Sequence, residues 1–132
     1  ALKIIFQLYP EAEVTIFGAF GGRIDHMLSN IFLVSDPELA PFMRCICLRD
    51  KQNKITYYPE GSHKVLPEPG MTYVSFLHEG DGKLTILGAK YELTSVNYFQ
   101  KKIYSSNEFV DGPIQVLVPN GYVIVIQTKD RS

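Results

Sequence analysis

The run Gly18-Ala19-Phe20-Gly21-Gly22-Arg23-Ile24-Asp25-His26 gathers the residue types that phosphate chemistry needs. Glycines between a strand and a helix let the backbone come close to an anion, and a helix N-terminus turns its free N–H groups toward it. Arg23 adds a planar fork of donors suited to phosphate or carboxylate. Asp25 can cap the helix, hold a metal or orient His26, which titrates near neutrality and can move a proton. An ordinary tight turn with an Asp N-cap and a surface Arg accounts for the same residues equally well. The spacing is not that of a Walker A loop, and no Lys-Ser/Thr pair follows.

A second cluster lies late, at Tyr104-Ser105-Ser106-Asn107-Glu108-Phe109. Hydroxyls, an amide and a carboxylate flanked by aromatic rings can hydrogen-bond a polar heteroaromatic ring that stacks on its neighbours. A strand end followed by a polar turn is the plainer account. Cys45 and Cys47 are two positions apart and share a face if they lie on a strand. Two thiols are too few for a zinc site, and two small buried residues are favoured over a redox pair. His63 and His78 stand singly, without ligand-type neighbours. Lys101-Lys102 reads as a solvated pair, with no wider basic patch for nucleic acid.

These side chains need elements to hold them. The apolar spacing in residues 1–9 predicts a helix that Pro10 stops. Residues 13–17 read as a short buried strand, and residues 23–33 as a helix with Ile24, Met27, Leu28, Ile31 and Phe32 on one face. Residues 35–41, with two prolines and two acids, read as a linker or exposed loop. From Phe42 onward the texture is β. Strands are expected over 43–49, 54–58, 63–66, 71–77, 83–87, 114–118 and 122–127, with turns at 59–61, 67–70, 79–82 and 119–121. Asn120-Gly121 reads as a hairpin turn, because a type I′ turn needs positive φ at both central residues.

Composition closes off several classes. Of 132 residues 45% are hydrophobic, enough for a core, and 13 basic against 14 acidic residues give a net charge of −1. That balance argues against binding nucleic acid by neutralising phosphates. No apolar run reaches the length of a transmembrane helix, and no charged segment precedes an apolar run, so neither membrane span nor signal peptide is expected. Thiols without an export signal point to the cytoplasm. The chain opens at Ala1 in mid-helix texture, from which we expect the start of the gene product to be missing.

Gly21-Gly22-Arg23-Ile24-Asp25-His26, followed by Leu28, Asn30 and Ile31, resembles the Gly-Gly-Arg-x-Asp-His motif of the thiamine pyrophosphokinases. The order Gly88-x-x-Tyr91-x-Leu93, then Ser106-Asn107-Glu108-Phe109, then Gly121, is similar to that family too. The resemblance runs along the whole chain. The family's early Asp-rich motifs are absent, and Gln100-Lys101-Lys102-Ile103 stands where relatives usually carry a glycine-containing turn.

The resemblance implies a thiamine diphosphokinase, which transfers pyrophosphate from ATP to thiamine and releases AMP. It implies Arg23, Asp25 and His26 as catalytic residues, Gly21, Gly22 and Arg23 against the nucleotide, and Ser106 and Asn107 against thiamine. Mg2+ would be held mainly by residues absent from this chain. It also implies a homodimer with sites built from both subunits. The expected fold is mainly β: an antiparallel β-sandwich over 42–132, preceded by a helix–strand–helix remnant of an α/β catalytic domain over 1–41. Such a portion is expected to be inactive alone. The rival readings are a non-catalytic β-sandwich module binding a small ligand or partner, and an unrelated nucleotide-binding α/β enzyme.

Overall fold

The computed structural model describes residues 2–17, 24–80, 84–92, 103–110 and 112–129; for residues 2, 3, 26 and 103–106 it describes the backbone. Helix α1 (Leu2–Leu8) leads into strand β1 (Val14–Phe17), and helix α2 (Ile24–Ile31) into two short 3-10 turns (Leu33–Ser35 and Ala40–Cys45). Strands β2 (Ile46–Arg49), β3 (Asn53–Val65), β4 (Tyr73–Glu79), β5 (Thr85–Leu87), β6 (Ile103–Asn107) and β7 (Ile114–Thr128) follow. The fold is mainly β, as expected. The strands pair in the order β1-β2-β3-β7-β4-β6, and β5 pairs with β7. The β1–β2 pair is parallel and the other pairings are antiparallel.

The sheet carries a buried cluster on each side. Along β7, Val123 and Val125 point into one cluster while Ile124 points into the other. In β3, Tyr58 and Tyr57 divide in the same way. This is the period-2 alternation of a strand buried on both faces. The first cluster also takes Ile114, Val116 and Val118 from the early half of β7, with Leu84 and Ile86. The second is covered by Phe6 of α1 and by Val34, Leu39 and Met43 of the segment after α2. Phe6 stacks on Phe42 with ring centroids 4.5 Å apart. Tyr57, wholly buried, donates its hydroxyl to the Ile31 carbonyl at 2.6 Å, which ties β3 to the end of α2.

Three expectations are corrected here. Residues 119–121 are not a hairpin. β7 runs unbroken from Ile114 to Thr128 and pairs with β3 on both sides of them. Residues 59–61 likewise lie inside β3, where the register shifts between Pro59 and Gly61. From Pro59↔Tyr122 to Gly61↔Val118, two steps in β3 match four in β7. That bulge moves the inward positions of β7 from even numbers to odd ones. This bulge uses positive φ, as a tight turn would, at Gly61 (+125°) and Gly121 (+73°).

Residues 35–41 are not an exposed linker. The Asp36 carbonyl accepts the N–H groups of Leu39 and Ala40, and Leu39 is buried in the second cluster. Finally, the apolar face of α2 is covered only toward its end: Ile24 and Leu28 are exposed, while Ile31 and Phe32 pack on the core.

Candidate functional site

Asn107 ends β6 and is 4% exposed. A buried amide must find partners, and this one finds the backbone of a neighbouring segment. Its Oδ1 accepts from the Tyr91 and Glu108 N–H groups, both at 2.9 Å, and its Nδ2 donates to the Tyr91 carbonyl at 2.8 Å. Further contacts fasten the same segment. Lys90 N–H donates to the Glu108 carbonyl at 2.9 Å, and the Lys90 ammonium meets the Glu108 carboxylate at 3.1 Å. Ala89 bridges Phe109. Gly88, at φ +85°, donates its N–H to the Glu92 carboxylate at 2.6 Å. The product is a clasped loop that holds the Tyr91 ring out at 61% exposure.

The amide of Asn107 thus faces the Tyr91 backbone, with one N–H left over. Ser106 has its backbone in β6, and its side chain lies outside the described residues. The sequence places Tyr91 in a family motif without assigning it a role. The signal for one was Gly88, three residues before an aromatic ring: a positive-φ bend that lifts the segment off the sheet.

At the other cluster, Gly21, Gly22 and Arg23 lie outside the described residues. Asp25 is exposed in the first turn of α2, and His26 is placed by its backbone alone. Among the described residues no group of three or more His, Cys, Asp or Glu side chains can hold a metal ion, so they do not make a Mg2+ site by themselves. Cys45, at the end of the second 3-10 turn, and Cys47, in β2, are free and half-buried.

Register relates the two clusters. Phe17, the residue before the Gly-rich run, pairs with Arg49, Arg49 with Lys54, Lys54 with Gln127, Gln127 with Val74 and Val74 with Asn107. Partners in register share a face. Five interstrand steps of about 4.8 Å put the ends of this row roughly 24 Å apart along the sheet.

The middle of the row is stiffened by Gln127, 4% exposed, which accepts from Glu68 N–H at 2.7 Å and donates to the Leu66 carbonyl at 3.0 Å. Glu68, held there, takes Arg49 on one oxygen at 2.6 Å and Lys54 on the other at 2.9 Å. The hydrogen bonds from Lys54 and then Arg49 keep its carboxyl below the usual carboxylate range. A lowered folded-state pKa contributes stability above the unfolded value and loses it as pH falls through the folded one. Glu68→Gln should therefore cost about 1 kcal/mol at pH 7. The difference from wild type should shrink as pH falls below the ordinary glutamate value and through the lowered folded-state one, in denaturant melts run across that range. A pH-independent difference would mean that the charge of Glu68 contributes nothing.

The vitamin B1 binding domain of thiamin pyrophosphokinase matches residues 62–123. Thiamine pyrophosphokinase of Bacillus subtilis (strain 168) is 32% identical over 98% of this chain and 61% of its own length. The chain is thus similar to the thiamine pyrophosphokinases along its whole length. A thiamin pyrophosphokinase family protein of Enterococcus faecalis, 39% identical, superposes with a TM-score of 0.91 over 99% of this chain and 62% of that one. Thiamin pyrophosphokinase of Geobacillus thermodenitrificans, 26% identical, gives 0.78 over 99% and 61%. This chain spans about three-fifths of the length of these thiamine pyrophosphokinases. The span matched by the vitamin B1 binding domain contains Tyr91, Asn107 and Gly121, and the Gly-rich run lies outside it.

Proposed function

We propose that this chain supplies the thiamine-binding part of a thiamine diphosphokinase, an enzyme that transfers pyrophosphate from ATP to the hydroxyl of thiamine and releases AMP. The observation that carries the reading is the Asn107 clasp, which presents an exposed Tyr91 ring within the residues that match a vitamin B1 binding domain. An aromatic face stacks a pyrimidine, and neighbouring hydroxyl and amide groups satisfy its polar edge. Ser106 is the hydroxyl available, and the remaining N–H of Asn107 the amide.

Pyrophosphoryl transfer depends on positioning and on charge neutralisation. Arg23, before a helix N-terminus, offsets charge on the transferring group, with the Gly21 and Gly22 backbone close to it. Asp25, in the first turn of that helix, orients the attacking hydroxyl, and His26 contributes hydrogen bonding. Phe17, the residue before the Gly-rich run, and Asn107 lie about 24 Å apart along one sheet, farther than a single small substrate reaches. A homodimer resolves this, with the turn of one copy meeting the Tyr91 loop of the other. The enzyme works in a reducing compartment such as the cytoplasm, where Cys45 and Cys47 stay thiols.

With Mg2+ held mainly by residues outside it, this portion by itself is expected to bind thiamine without turning it over. Incubation with ATP, Mg2+ and thiamine should show saturable thiamine binding and no thiamine diphosphate. Absence of thiamine binding sinks the reading, and turnover sinks the claim that the portion is inactive.

A further inference from the structure

Four cationic side chains scattered along the sequence, Arg44, Arg49, Lys54 and Lys64, line one cavity of about 380 Å3 on the face that carries the central row. Arg49 and Lys54 share Glu68. The other two have no carboxylate among the described residues. Arg44 is propped instead on the Tyr58 ring, 4.0 Å from its centroid, and donates to the Tyr57 carbonyl at 3.2 Å. Four cations stand against Glu68 and, at the rim, the exposed Glu13, a formal excess of two positive charges in a concave site. Walls of low dielectric focus such a field outward.

The cavity is also built to last. Gln127 anchors the segment that carries Glu68, and Glu68 anchors Arg49 and Lys54. A guanidinium stacked on a buried ring is fixed in direction without being neutralised, and so keeps its donors for a ligand. Thr15 and Thr56 add hydroxyls. A protein gains nothing in stability from two uncompensated cations beside an existing ion pair, since like charges repel. Their convergence points to an anion.

We propose that this cavity, lined by β1, β2 and β3, binds a phosphate group, free or carried on a small molecule, away from the Tyr91 loop. Two guanidinium forks and two ammonium groups suit a doubly charged tetrahedral oxyanion. The volume leaves room for a small body attached to it.

The test uses this chain and inorganic phosphate, titrated calorimetrically at constant ionic strength with chloride as the balancing ion. Saturable binding at one site is expected. The double variant Arg44→Gln, Lys64→Gln should weaken it about tenfold or more, whereas Lys129→Gln should leave it unchanged. Lys64→Gln alone, at an exposed position, should weaken it severalfold, which keeps the test valid if Arg44 is needed for folding.

Cys45 and Cys47 line the same cavity and report the location. Anionic iodoacetate should modify them faster, relative to neutral iodoacetamide, in wild type than in the double variant, and phosphate should protect them. Ribose 5-phosphate in a parallel titration separates the two sources: tighter binding than phosphate means a carried group, equal binding a free one. No saturable binding above chloride overturns the proposal. So does binding lost in Arg23→Gln and kept in the double variant. None of these readouts involves thiamine, so they stand apart from the proposed activity.

Discussion

Gly121→Ala is expected to destabilise the fold by about 3–5 kcal/mol, among the largest effects of a single methyl group. Two costs combine. Gly121 has φ +73°, a conformation that costs an L-residue about 1–2 kcal/mol. A Cβ built there would also overlap the carbonyl oxygen of Glu79, at the end of β4. That obstacle is backbone, so no side chain can rotate away. β7 would have to separate from β4 beside Val123 and Val125, both wholly buried. Gly80, across the gap, meets the Asn120 backbone in the same way, so two glycines form one close approach. His78 fixes it from the side through a 2.9 Å contact between its Nε2 and the Asn120 carbonyl. Gly70→Ala is the control. Its φ is +87° but nothing lies within 4 Å of the added atom, so only the backbone cost of about 1 kcal/mol should remain. Urea melts of the two variants, compared at equal m, give the difference. Equal losses would mean that the bend tolerates a side chain and that the close approach is unimportant.

The same bend shows what the sequence could and could not convey. Strand texture on either side of residues 59–61 and 119–121 was legible, because alternation is local. Whether two such strands turn back on each other or continue past a bulge is decided by what lies opposite, and β3 and β7 lie opposite each other throughout. Positive-φ glycine serves both outcomes. Leu39 was hidden for a related reason. It sits between Pro37 and Pro41 in a segment of loop composition, and only the second cluster reveals its burial.

The cationic cavity has no trace in the sequence as a charge run, and no basic patch was expected there. Arg49 and Lys54 meet through strand register, and Glu68 reaches them through Gln127. The sequence puts Asn107 forward as a contact to thiamine, and in the structure its amide is taken up by backbone groups. The partners supplied by the fold lie 16 residues away in the backbone of Tyr91, a distance that no local pattern encodes.

That clasp divides the proposed thiamine site into a support and a contact, and the two should separate under mutation. Asn107→Ala removes the partners of the Tyr91 N–H, the Tyr91 carbonyl and the Glu108 N–H. An unsatisfied buried group costs about 1–3 kcal/mol. Water reaches part of this edge, so a total loss of about 2–4 kcal/mol is expected, with thiamine affinity down about tenfold or more as the loop is released. Tyr91→Ala touches no clasp bond, because those bonds are to its backbone, and its ring is largely exposed. Stability should therefore hold within about 0.5 kcal/mol. Thiamine affinity should still fall about tenfold, the worth of one aromatic stack of roughly 1.4 kcal/mol. Asn107→Asp keeps the acceptor for Tyr91 N–H and sets a carboxylate against the Tyr91 carbonyl, so it should fall between wild type and alanine in both readouts. The measurements are a denaturant melt and a thiamine titration on each variant. If Asn107 instead read the ring directly and Tyr91 were incidental, Tyr91→Ala would bind thiamine as well as wild type. Asn107→Ala would then lose affinity at unchanged stability. That pair of results would move the contact from the ring of Tyr91 to the amide beneath it.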